Sequence, residues 1–137
     1  MHFPYVEFLG LHEDRIFRPM IPVTFKVEKE IFKTYALVDS GADYSILPIE
    51  IAGKLNLRLD PQMSHRILGA GGNSFKVYKS PTEIEQIIKK SGFRDLKWQS
   101  HIYFAESSNT ILLGQNGYLN KFKVTLNGTQ RQIEITN

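Results

Sequence analysis

Apolar and polar residues alternate in several short segments of this 137-residue chain. Val23, Phe25 and Val27 alternate with polar residues, and the segment 122–126 shows the same period. Because successive side chains of a strand point to opposite faces, a period of two predicts half-buried β-strands rather than helices. The pattern therefore predicts a mostly β chain whose many short strands form a barrel or a sandwich.

The remaining segments favour further strands and little helix. Strands are expected over residues 34–38, 65–68, 75–78, 83–89 and 98–105. A helix is expected over 49–56, because Ile51, Ala52 and Leu55 would share one face. A second short helical turn is expected over 117–121.

Asn127 and Gly128 form a strong hairpin signal near the end of the chain. Both residue types tolerate a positive φ, which the commonest two-residue hairpin turns require. Such a turn would place Phe122 opposite Ile133, so that an apolar side chain faces an apolar side chain. The sequence thus predicts a C-terminal hairpin in this register.

Composition places the chain among ordinary globular proteins. It is 42% hydrophobic and 23% charged, with a net charge of +3, and its length suits one domain over residues 1–137. The absence of cysteine excludes disulfides and thiolate chemistry. The chain has no apolar run long enough for a membrane span, and its start lacks the features of a signal peptide. We therefore expect a cytoplasmic protein with no membrane partner.

The most informative segment is an apolar strand that ends in Asp39-Ser40-Gly41-Ala42, with Asp43 directly after it. A carboxylate at this point lies at the edge of the core, and a glycine without Cβ lets another backbone approach closely. The tripeptide alone is also a common turn sequence, in which Asp39 would simply cap a turn or the following helix. The wider sequence context has to decide between these interpretations.

Two later segments supply that context: a glycine-rich hairpin over 67–78 and the apolar run 111–113 closed by Gly114. Together with the Asp39 segment, and in this order, they resemble the retropepsins, the retrovirus-type aspartic proteases. The stand-alone bacterial members look most similar, and the resemblance spans about residues 18–135. It implies an acid protease fold: a closed β-barrel with one or two short helices and one active-site loop per chain.

The resemblance also implies a mechanism. Because the chain has one Asp-Ser-Gly loop, it implies a homodimer in which Asp39 of each subunit meets at a twofold axis. Asp60 and Asp95 are weaker candidates for a second carboxylate, since neither precedes Ser/Thr-Gly. Two adjacent carboxylates share a proton and can activate water. This implies an endopeptidase acting on peptides or proteins, with no metal, no cofactor and no nucleic-acid partner.

Further residues take their implied roles from the same resemblance. Ser40 would orient the loop across the dimer axis, and Gly41 would leave room for the substrate backbone. Ala42 and Asp43 would contact the substrate main chain, although an exposed turn carboxylate is the plain alternative for Asp43. The tip of a mobile flap, or of an ordinary hairpin, would consist of Gly69, Ala70, Gly71 and Gly72. The structural support beneath the active-site loop would consist of Ile111, Leu112, Leu113 and Gly114.

One residue departs from the family pattern. Many members carry a basic residue after the late glycine, where it pairs with the carboxylate equivalent to Asp43, whereas this chain has Gln115. A Gln115–Asp43 hydrogen bond could replace that ion pair. The departure keeps open a catalytically silent retropepsin-fold module that dimerises or binds peptides, and the basic charge keeps open a nucleic-acid-binding β-barrel. Residues 1–17 could form an interface strand or a segment removed by self-processing.

Overall fold

The computed structural model describes residues 1–106 and 109–137. The helical elements are α1 (Glu50–Lys54) and two 3₁₀ segments, Leu11–Glu13 and Pro61–Met63. The strands of this described part are β1 (His2–Pro4), β2 (Val6–Leu9), β3 (Arg15–Arg18), β4 (Met20–Val27), β5 (Glu30–Val38), β6 (Ile46–Pro48), β7 (Ser64–Leu68), β8 (Ser74–Lys79), β9 (Ile84–Ile88), β10 (Leu96–Ser100), β11 (Tyr103–Ala105), β12 (Leu112–Leu113), β13 (Lys123–Asn127) and β14 (Gln132–Thr136). The expectation of a mostly β chain with short helices is confirmed.

The main sheet orders its strands β10-β9-β4-β5-β12-β6-β11-β8-β7, from one edge to the other. It curls as a half barrel around the core, which also receives side chains from a smaller sheet, β1-β14-β13. The predicted alternation is visible on β4, where Ile21, Val23 and Phe25 are buried and their neighbours are less so. None of the helices in the described part of the chain has the length and apolar content needed to span a bilayer.

Short strand β12 brings two distant segments together. It runs parallel to β5, with Leu113 opposite Val38, and antiparallel to β6, with Leu112 opposite Ile46. Parallel neighbours end at the same edge of a sheet. The residues that follow Val38 and Leu113 therefore leave the sheet side by side.

The C-terminal hairpin forms, but its predicted register is wrong. Leu126, not Phe122, lies opposite Ile133, because four residues rather than two connect β13 to β14. The Asn127 side chain accepts a hydrogen bond from the Gln130 amide at 3.0 Å, and Arg131, with φ +53°, provides the left-handed residue. The hydrogen bond from the turn to the Asn127 side chain thus stabilises a four-residue connection in place of the expected two-residue turn.

Other sequence-based boundaries also need correction. The expected strand over 98–105 is split into β10 and β11. At the break, the Ile102 amide donates to the Ser80 hydroxyl, and the Ile102 carbonyl accepts from the Ser80 amide. The segment 117–121 forms turns rather than a helix, because Gly117 has φ +109° and the Asn120 side chain accepts its N–H. Residues 1–17, for which an interface strand and a removed segment were both left open, contain β1, β2 and the start of β3, and Phe3 is buried in the core.

Candidate active site

The Asp39 loop lies on the segment that follows β12. The Asp39 amide donates to the Leu113 carbonyl at 3.0 Å. The Gln115 amide then donates to the Ala42 carbonyl, and the Asn116 amide to the Asp43 carbonyl, each at 2.8 Å. These backbone bonds fix residues 39–43 as a loop of defined shape at the edge of the sheet.

Gly114 lets the two segments approach this closely. A Cβ at this position would lie 2.5 Å from the Tyr44 carbonyl oxygen and 2.7 Å from that of Ala42. The Gly114 amide donates to the hydroxyl of fully buried Ser45 at 3.2 Å. The sequence analysis did not single out Ser45. The only sequence feature that could have indicated its role is its position, as a small hydroxyl residue just before an apolar strand.

The Asp39 carboxylate is half-buried and is oriented by its own loop. One oxygen, Oδ1, accepts the Gly41 N–H at 2.9 Å, and the Ala42 amide donates to the Asp39 backbone carbonyl at 3.2 Å. Asp39 therefore caps this turn, whereas α1 begins after Ile49 with no side-chain cap. The second oxygen, Oδ2, has no hydrogen bond within residues 1–106 and 109–137 and can act on a ligand.

A cleft of about 410 Å³ opens in front of this carboxylate, and we call it the Asp39 cleft. It contains Asp39, Gly41, Ala42 and Asp43 of the loop together with Gly69 and Ala70 of the β7–β8 hairpin. The other residues that line it are largely apolar: Tyr44, Ile46, Ile67, Leu68, Phe75 and Leu112. Six residues expected at or beneath the site do not line the cleft: Ser40, Gly71, Gly72, Ile111, Leu113 and Gly114.

The β7–β8 hairpin, which we call the glycine hairpin, turns over residues 69–73. Its register pairs Leu68 with Ser74, and the Gly69 amide donates to the Asn73 carbonyl at 2.9 Å. Gly71 and Gly72 have φ +91° and +83°, a backbone conformation that residues with a side chain rarely adopt. These two glycines make the turn and face solvent, while Gly69 and Ala70 face the cleft.

Gln115 contacts the loop in a way that the sequence did not predict. Its side-chain amide donates to the Ser40 carbonyl at 2.8 Å, so its observed partner is the loop backbone rather than the Asp43 carboxylate. Within the described residues the Asp43 carboxylate has no ion pair. Gln115 thus holds the far side of the Asp39 loop by a neutral hydrogen bond.

We predict that Gln115→Ala lowers the free energy of unfolding by about 1 kcal/mol, the usual net contribution of one hydrogen bond. Urea denaturation at fixed protein concentration measures this change. Gln62→Ala is the matched control, because this exposed glutamine has no side-chain hydrogen bond within the described chain. Equal losses in both variants would show that the Gln115–Ser40 contact contributes nothing.

Three aromatic side chains connect the loop to the glycine hairpin. The ring centroids of Tyr44 and Tyr103 lie 4.7 Å apart, and those of His65 and Tyr103 lie 6.1 Å apart in an edge-to-face arrangement. Partial burial, and to a smaller extent repulsion from Tyr44, raises the pKa of the Tyr103 phenol above its usual value. Tyr103 therefore remains a neutral hydrogen-bonding group at ordinary pH.

The two alternative carboxylates lie elsewhere. Asp60 accepts the Gln62 amide at 2.9 Å, at the start of a 3₁₀ segment. Asp95 lines a separate cavity of about 500 Å³ with Arg94 and Lys97. In the described part of the chain, no three His, Asp or Glu side chains are grouped so that they could hold a metal ion.

Comparisons with known proteins give a structural match alone. No protein-family model matches the chain, and no curated protein matches it significantly. A retropepsin-like aspartic protease from Rickettsia conorii superposes with a TM-score of 0.57 at 18% identity, over 99% of this chain and 98% of that one. The EIAV protease complexed with the inhibitor HBY-793 gives a TM-score of 0.49 at 23% identity, over 79% of this chain and 88% of that one. The match to the Rickettsia protease shows that the chain has the retropepsin-like aspartic protease fold, which the resemblance of its sequence implied.

Proposed function

We propose that the chain is a homodimeric aspartic endopeptidase in which Asp39 from each subunit activates the water that hydrolyses a peptide bond. The observation that carries the proposal is the Asp39 cleft. It sets a half-buried carboxylate opposite the glycine hairpin and between apolar walls. The fold shared with the Rickettsia protease adds support, because that neighbour is an aspartic protease and the match spans 99% of this chain.

The second carboxylate is supplied by a second copy of the chain. Asp60 and Asp95 lie outside the cleft, and a twofold axis beside the loop would place two Asp39 side chains together. Two carboxylates this close share one proton, because like charges in contact cannot both ionise. The exposed Ser40 hydroxyl has no hydrogen bond within the described residues, so it is free to donate across the axis.

The reaction follows from this shared proton. The ionised Asp39 takes a proton from water while the protonated Asp39 donates a hydrogen bond to the oxygen of the scissile carbonyl. The water oxygen adds to the carbonyl carbon as the second carboxyl transfers its proton to the carbonyl oxygen, giving a tetrahedral diol. The carboxyl that took the proton from water then protonates the amide nitrogen, while the other takes a proton from a diol hydroxyl. The C–N bond breaks, and the dyad holds one proton as at the start. The pair titrates as a unit, and we expect activity at acidic to weakly acidic pH.

The remaining cleft residues position the substrate. Gly41 has no side chain and lies beside Asp39, so a peptide backbone can pass close to the carboxylates. Ala42 and Asp43 follow in the loop and would meet the substrate main chain. Gly69 and Ala70 would close over the peptide as a flap and exclude water.

Hydrolysis of a diverse peptide mixture, read by mass spectrometry from about pH 3.5 to 7, tests the proposal in the range where a carboxylate dyad works. Specific activity should rise with enzyme concentration, because only the dimer has a complete site. A protein shown to be folded and dimeric that cleaves nothing at any pH would rule out the peptidase. Specific activity that stays constant down to concentrations where the protein is monomeric would rule out the shared site.

A further inference from the structure

A second pocket, of about 190 Å³, shares Tyr44 with the Asp39 cleft, and we call it the Tyr44 pocket. Tyr44 lines both spaces, so they are neighbours. The other residues of the pocket are mostly polar and include Lys79, Glu83, His101, Tyr103, Asn120 and Lys121. Nothing in the proposed chemistry uses them.

Tyr44, the residue common to the two spaces, is held by several contacts. The Tyr44 ring packs on Tyr103 at 4.7 Å, and the Tyr44 backbone forms a parallel bridge with Asn116. Asn116 is in turn bonded to the Asp43 carbonyl at 2.8 Å. The Tyr44 pocket is therefore fixed in position relative to the Asp39 loop.

The pocket is rich in hydrogen-bond donors and carries a net positive charge. Lys79 and Lys121 form no ion pair within the described residues, and Glu83 is the only carboxylate of the lining. The Asn120 carbonyl oxygen accepts the Gly117 amide at 3.1 Å, so its amide NH₂ group is left as a donor. His101 Nδ1 lies 3.0 Å from the Ser80 carbonyl oxygen, so this ring nitrogen already has a hydrogen-bond partner. Unpaired ammonium groups beside amide donors suit a carboxylate.

We propose that the Tyr44 pocket is a substrate subsite that binds an Asp or Glu side chain of the peptide, at a residue outside the Asp39 cleft. This inference rests on the proposed peptidase function. An extended peptide advances about 3.3 Å per residue, so a chain that passes Asp43 reaches Tyr44 and then the pocket within a few residues. The apolar cleft and the cationic pocket together select a hydrophobic segment with an acidic residue at one end.

Replacement of Glu83 should change the acidic preference in the direction opposite to replacement of the lysines. Its carboxylate repels an acidic substrate side chain while the two lysines attract it. Replacement of Lys79 or Lys121 by Gln should weaken the acidic preference, whereas Glu83→Gln should strengthen it. Loss of a general structural feature would not produce changes in opposite directions.

The experiment scans Glu against Gln through every position of one cleaved peptide, at about pH 5.5, where a peptide Glu is ionised. At one position on one side of the scissile bond, the Glu peptide should have the higher kcat/KM. The Glu-to-Gln ratio at that position should fall roughly threefold with each of Lys79→Gln and Lys121→Gln, the scale of an exposed ion pair. Lys123→Gln is the matched control, because this exposed lysine lies on β13 outside the pocket, and the ratio should not change.

Binding of the same peptides to Asp39→Asn protein, followed by fluorescence anisotropy, separates the subsite from catalysis. A Glu preference that depends on the two lysines supports the subsite even if no peptide is cleaved. Two results would overturn the subsite without affecting the peptidase proposal. One is cleavage or binding with no Glu preference at any position. The other is a Glu preference that is unchanged in the variant that combines Lys79→Gln with Lys121→Gln. If no peptide is cleaved or bound, the proposed function fails and the subsite fails with it.

Discussion

Asp39→Asn should lower kcat/KM by roughly a thousandfold or more, because general acid–base catalysis contributes about 10²–10⁴ and both of its roles depend on the dyad. The fold should survive. The Asp39 Oδ1 atom accepts the Gly41 amide at 2.9 Å, and the Asn carbonyl oxygen can accept the same bond. The side chain is also half-buried rather than packed in the core.

Cleavage assays compare the activity of wild type and Asp39→Asn, and sedimentation measures whether both proteins remain dimeric. Asp95→Asn is the matched control, since this exposed aspartate lies outside the Asp39 cleft, and it should retain full activity. A variant at Asp39 that remains folded and dimeric and still cleaves at the wild-type rate would exclude Asp39 as the catalytic group.

Mixing experiments test the shared site directly. If subunits exchange and each dimer needs two Asp39 side chains, an equal mixture of wild type and Asp39→Asn contains about one quarter intact dimers, as random pairing of a twofold assembly requires. Activity per total subunit should therefore fall to about a quarter, not to a half. When the subunits exchange fully, a fall to one half would show that each wild-type subunit works alone.

The sequence predicted the local features of this molecule well, because they depend on local patterns. Alternation along β4 is reproduced in its buried side chains, and the helix predicted over 49–56 is present as the shorter α1. The order of the Asp39 segment, the glycine hairpin and the late glycine predicted the retropepsin-like fold, which the Rickettsia match confirms. The structure also brings the first two of these segments to one cleft.

The missed features depend on partners distant in sequence. Gln115 bonds to Ser40 across 75 positions, and Ser45 receives the Gly114 amide across 69. No periodicity can reveal such pairs, since their geometry exists only after β12 has joined β5 and β6. The hairpin register was missed for a local reason, because the Asn127 side chain competes with the backbone for the turn.

Gly114→Ala should lower the free energy of unfolding by about 3 kcal/mol, the upper part of the range for a group forced into a packed site. The new Cβ would lie 2.5 Å from the Tyr44 carbonyl oxygen and 2.7 Å from that of Ala42. Both are backbone atoms and cannot rotate away, so the loop itself must move. Activity should therefore fall together with stability.

Gly53→Ala is the matched control, because a Cβ there meets no atom within 4 Å and the residue lies inside α1. Removing a helical glycine should raise stability by about 0.5–1 kcal/mol. Urea denaturation at one protein concentration compares the two variants, and opposite signs are expected. Gly114→Ala protein with wild-type stability and activity would show that the Asp39 loop does not need the close approach of Gly114, and the support of the loop would then have to come from its bonds to Leu113, Gln115 and Asn116.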